Sequence, residues 1–125
     1  MGMARPAELN GFPGPRHVLD LADSLALTPD QRSEVQGIFE RMQERATALG
    51  RQVVAAEGAL DTLFAAGTVG EAPLAERVKA VEALRSELRI VHLTAHLETK
   101  ALLTTHQVHT YDRLRGYGAH VHGGT

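Results

Sequence analysis

Leu27-Thr28-Pro29-Asp30-Gln31 and Leu103-Thr104-Thr105-His106-Gln107 are two copies of one pattern, LTxxQ, in a chain of 125 residues. Each places Thr where a helix N-cap lends its side-chain oxygen to the free N–H groups of the first turn. Each also places Gln at N3, from which a capping box is closed. In the first copy Pro29 stands at N1 and Asp30 sits in the first turn beside the positive end of the helix dipole. In the second, Leu103 and Val108 are spaced as a hydrophobic staple. The pattern therefore predicts one helix starting near residue 29 and another near residue 105.

Downstream of the first start, Val35, Ile38, Phe39, Met42, Ala46, Leu49, Val53, Ala56, Leu60, Leu63 and Phe64 keep a helical period. This predicts a long helix over 29–66. Gly67-Thr68-Val69-Gly70-Glu71-Ala72-Pro73 breaks it. A second stripe, Leu74, Val78, Val81, Leu84, Leu88, Val91, Ala95 and Leu102, predicts a helix over 73–103. Two long helices joined by a short turn must lie antiparallel, since nothing else in the chain is long enough to cover either stripe. Outside this hairpin, Val18, Leu21, Ala22 and Leu25 predict a short helix over 16–26, and the helix begun at Thr104 runs to Arg115 and stops at Gly116. Residues 1–15 carry Pro6, Gly11, Pro13, Gly14 and Pro15 and read as an extended arm, and 117–125 read as a mobile Gly/His-rich tail. The expected fold is all-α: a single domain over 16–116, built of four helices around a long antiparallel hairpin.

Composition agrees. Hydrophobic residues make up 43% and aromatics 4%, with no Cys or Trp, which fits a thin helical protein and speaks against an all-β fold. A formal charge of -2 leaves no electrostatic footprint for nucleic acid. No run is apolar enough for a membrane span, and Met1 to Pro6 lacks the apolar core of a signal peptide, so the chain as it stands reads as soluble and untargeted. No nucleophile elbow, phosphate-cradling glycine loop or pair of catalytic carboxylates is present, and an enzyme is not expected.

The doubled LTxxQ flanking a long hairpin resembles the periplasmic Spy/CpxP family, to which the metal-resistance proteins CnrX and ZraP are related. The resemblance covers roughly residues 16 to 116. It implies an all-α, cradle-like subunit that pairs as an antiparallel homodimer in the periplasm. It also implies two roles. One is binding of transition-metal ions for sensing, buffering or resistance, with a membrane-bound regulator as a further partner. The other is ATP-independent holding of unfolded envelope proteins, for which Arg32, Arg41, Arg45, Arg51, Arg85 and Arg89 lie beside the apolar stripes.

The histidines decide where a metal would sit. His92 and His96, at i and i+4, project from one helix face about one turn apart, the spacing that chelates a single ion. Folding the chain about a turn near residue 69 sets His92 opposite Ala46 and His96 opposite Met42, and the fold-back at residue 27 brings His17 to the same end. On a wheel at about 100° per residue Glu34 lies closer to the core direction than Glu40 does. The order His17, Glu34, His92, His96 is similar to the ligand order of CnrX-like proteins, with His96 standing where that pattern has Met. Pro13 and Leu21 leave the first-helix His-x3-His of the pattern incomplete. Three His and one carboxylate suit Zn, Ni, Co or Cu without selecting among them. Met42 offers a thioether that is more simply read as core, and His106, His109, His120 and His122 form a second, weaker set.

Overall fold

The computed structural model describes residues 3–67 and 69–117, and among these there are five helices and no strand. They are α1 (Arg5–Leu9), α2 (Pro15–Asp20), α3 (Pro29–Ala65), α4 (Glu71–Leu102) and α5 (Thr105–Arg115). The long pair α3 and α4 is the expected hairpin, with ends within two residues of those read from the sequence. Its turn contains Gly67 at φ +77°, a conformation that costs a residue without a side chain little. Where four helices were expected there are five. The arm expected to be extended contains α1, one and a half turns with Pro6 inside its first turn, where the missing N–H is no loss.

The helix expected over 16–26 ends at Asp20 and continues to Ala26 as successive turns. Ala26 closes them at φ +52°, an uncommon conformation for a residue with a Cβ, and Leu27 N–H donates back to Ala22 O over 3.1 Å. That reversal delivers the chain to Thr28.

Contacts divide the chain into two compact units, one made of the segments up to Met42 and from His92 onward, the other of Gln43–Val91. In the first, Val18, Leu25, Val35 and Tyr111 form the core, and Leu19, Leu21, Leu27, Leu102, Leu103 and Tyr117 pack around it. In the second, Leu49 and Val81 are buried, and the ion pairs Arg45–Glu87 and Arg85–Glu57, at 3.3 and 2.7 Å, link α3 to α4. These pairs are exposed and contribute little stability, but they mark the antiparallel register. Val54, Phe64, Val78 and Ile90 stay exposed in this unit.

The two LTxxQ segments meet. Thr28 and Gln31 close one capping box, with Gln31 N–H donating to Thr28 Oγ1 and Thr28 N–H to Gln31 Oε1, both over 3.0 Å. Thr104 and Gln107 close the other, at 3.1 and 2.9 Å. The two Gln amides then bond each other reciprocally: Gln31 Nε2 donates to Gln107 Oε1 over 2.8 Å and Gln107 Nε2 to Gln31 Oε1 over 3.0 Å. The second proton of each amide goes to a carbonyl, from Gln31 to Leu102 O over 2.8 Å and from Gln107 to Leu25 O over 3.2 Å. Both amides thus use every donor and both acceptor sites. Flipping either would turn an NH2 toward a backbone N–H, so their orientation is determined by the ring.

Candidate functional site

The best-defined polar cluster is organised by Glu8. The arm folds α1 against α5 so that Tyr111, fully buried, donates its hydroxyl to Glu8 Oε1 over 2.7 Å. The other carboxylate oxygen accepts from Gly14 N–H over 2.8 Å and lies 3.4 Å from His96 Nδ1. Burial, then the hydrogen bond to Glu8, holds the Tyr111 phenol well above its ordinary value, so it serves as a fixed donor.

His96 is buried on α4, and its Nδ1 sits 2.7 Å from Phe12 O. A carbonyl only accepts, so this contact puts a ring proton on Nδ1, and in the neutral ring Nε2 is the nitrogen that keeps a lone pair. The imidazole edge passes directly over Gly14: a Cβ there would lie 2.7 Å from His96 Cε1 and 2.8 Å from Nε2. Glycine at this position lets the arm cross α4 closely. Beside it Lys100 Nζ stands 4.1 Å from the centre of the Phe12 ring, a cation–π contact that adds to the docking of the arm.

A cavity of about 270 Å³ opens beside this cluster, lined by Arg5, Glu8, His17, His96, Arg115 and Tyr117 among others. His17, on α2, is half-exposed, with Nδ1 3.4 Å from Arg115 Nη1 and 4.0 Å from Asp20 Oδ2. Burial and then the charge of Arg115 hold its pKa below the ordinary imidazole value. His92, one turn before His96 on α4, is likewise lowered, by burial first and then by the charge of His96.

Of the four metal-ligand candidates, His17 and His96 therefore line one cavity and His92 adjoins His96 on their shared helix face. Glu34 stands elsewhere. It lines an open groove of about 460 Å³ with Ser33, Ile38, Arg41, Glu98 and Leu102. Glu98 is two residues from His96, which turns it about 200° around α4, away from the histidine face. Among the described residues no group of three or more His, Asp or Glu is gathered closely enough to hold a metal ion. His106 and His109 are exposed on α5, while His120 and His122 lie outside the described residues.

Sequence reasoning missed Glu8 and Tyr111, whose contact spans 103 positions. The available signal was Glu8 itself, a lone carboxylate in a segment otherwise rich in Pro, Gly and apolar residues. The two Gln residues read as two caps, and nothing in that reading pairs them with each other.

Fold and site together describe a helical-hairpin protein whose N-terminal segment is pinned to the base of the hairpin through a buried Glu–Tyr–His cluster. No family model matches the chain, and no curated protein or solved structure is significantly similar to it. No described helix is long and apolar enough to cross a membrane.

Proposed function

We propose that the protein binds a transition-metal ion and acts in metal sensing, buffering or resistance, in the manner of the periplasmic Spy/CpxP, CnrX and ZraP proteins it resembles. The observation that carries this reading is the His92/His96 pair. The two rings leave one face of α4 a turn apart, and the Phe12 carbonyl holds the proton of His96 on Nδ1, which frees Nε2 to ligate. Burial favours the neutral form of His92, the form a metal requires. The set fits a two-histidine anchor, and His17 lines the same cavity as His96. Glu34 lines a different groove and joins only if α3 or its side chain is rearranged. The ion is Zn, Ni, Co or Cu, and an ion held by His17 as well as by His92 and His96 would crosslink α2 to α4. In this reading a second copy of the chain covers Val54, Phe64, Val78 and Ile90, giving the homodimer.

Those same exposed side chains, flanked by arginines, favour a second reading, an ATP-independent holdase for unfolded clients. One paired experiment separates the two. Calorimetric titration of the wild type and of a His92→Ala/His96→Ala variant with Zn²⁺, Ni²⁺ and Cu²⁺ is expected to show micromolar or tighter binding that the variant loses at least tenfold. Wild-type binding that the variant retains would refute the site. Suppression of aggregation of a reduced client by both proteins, without metal binding by either, would establish the holdase instead.

A further inference from the structure

The cavity beside Glu8 carries two arginines that metal binding does not use. Two guanidinium groups, Arg5 from α1 and Arg115 from the end of α5, line it together with the imidazole of His17. Among the described residues neither arginine has a carboxylate within 4 Å. Glu8, the carboxylate in the wall, is committed on both oxygens to Tyr111, Gly14 and His96. Arg115 spends two of its N–H groups on neutral acceptors, His17 Nδ1 at 3.4 Å and the Tyr117 hydroxyl at 3.3 Å. Both contacts are long, so they orient the guanidinium without saturating it. Because Arg can only donate, its contact assigns Nδ1 of His17 as acceptor and places the ring proton on Nε2. The cavity therefore presents three donors, Arg5, Arg115 and His17 Nε2–H, and carries a net positive charge.

We propose that this cavity binds a small organic carboxylate, with Arg115 as its principal anchor and Arg5 and His17 as supporting donors. Three features select the class. The planar guanidinium fork matches a carboxylate bidentately. Ala4, Leu9 and the Tyr117 ring supply apolar wall for a short carbon skeleton. A volume of about 270 Å³ lies below the range of pockets for drug-sized ligands. Inorganic phosphate satisfies the donors and leaves that apolar wall unused, so the carboxylate is the better occupant.

The test is a nuclear magnetic resonance titration of the full chain, freed of metal on a chelating resin, with butyrate, succinate and inorganic phosphate in turn at constant ionic strength. The His17 ring signals are followed, with those of His106 and His109 on the exposed face of α5 as internal references. The expected result is a saturable shift of His17 with butyrate or succinate, at millimolar or lower concentration, while His106 and His109 stay unmoved. Arg115→Gln is expected to weaken it at least tenfold and Arg5→Gln severalfold, both variants keeping the wild-type helical circular dichroism. Three results would overturn the proposal: shifts of all histidines together without saturation, a His17 titration unchanged in Arg115→Gln, or tighter binding of phosphate than of either carboxylate. If Arg115→Gln fails to fold, Arg5→Gln decides, because α1 presents that residue from the exposed side of the arm.

Discussion

Replacing Gln107 by Ala removes one half of the amide ring and is expected to destabilise the protein by about 3 kcal/mol. The figure follows from the four hydrogen bonds of that side chain. Losing the capping box costs about 1 kcal/mol. Each remaining bond is worth roughly 0.5–1.5 kcal/mol net, and Leu25 O and the Gln31 amide are left without their partner in a site where Gln107 itself is buried. Gln31→Ala, at a less enclosed position, is expected to cost about 2 kcal/mol by the same reckoning. Because the two mutual bonds are lost in either single variant, the double variant should be less destabilised than the two singles combined, by roughly 1–2 kcal/mol. Urea unfolding of the four proteins measures the cycle. A Gln107→Ala cost below about 0.5 kcal/mol, or strict additivity, would refute the ring as an energetic unit. Gln107→Glu sharpens the test. It sets a carboxylate oxygen against Leu25 O and Gln31 Oε1, both acceptors, which disfavours the ionised form in the fold and raises its pKa above the ordinary Glu value. Its penalty is therefore fully present at neutral pH and shrinks as pH falls through the raised value toward about 4.

Two further outcomes follow from the cluster at the arm. Gly14→Ala forces a methyl group to within 2.7 Å of His96 Cε1 and should cost about 1–3 kcal/mol and move the His96 ring signals. Gly58→Ala, in α3 with nothing within 4 Å of the added group, should instead gain about 0.5–1 kcal/mol. Burial holds His17 and His92 below the ordinary imidazole value, so the unfolded chain takes up protons first. Stability from these groups is complete above pH 6.5 and declines as pH falls through it, levelling off below the lowered folded values. Urea midpoints measured from about pH 8 to about pH 5 should show this fall, and His92→Asn should flatten part of it.

The long helices were legible because their information is local: an uninterrupted apolar period, a capping box at the start and a glycine at the end. The arm was not, because six Pro and Gly residues in the first fifteen read as loop while one of them, Pro6, is compatible with a first turn. Long-range pairing was not legible even where it repeated a local signal. Two glutamines at N3 announced two caps, and their mutual bonding depended on the reversal at Ala26 and on α5 returning to the start of α3. For the candidate site, the i, i+4 spacing placed His92 and His96 on one face, and the register brought His17 to the cavity of His96. Glu34 shows where a helical wheel stops. The wheel gave its angle about α3 but not its height, and eight residues separate it from Met42, about 12 Å along the axis.

The amide ring also has an entropic side. It joins positions 76 residues apart, and closing a flexible loop of that length costs about 4 kcal/mol beyond a constant, more than the mutual bonds return. It cannot form while the intervening chain is a coil. Once α3 and α4 are built and paired, the same ends are already neighbours and the cost has been met by the helices. The ring then closes last and acts as a check on assembly: a hairpin paired one turn out of register would present Gln31 to the wrong carbonyl, leave both amides open and fall back.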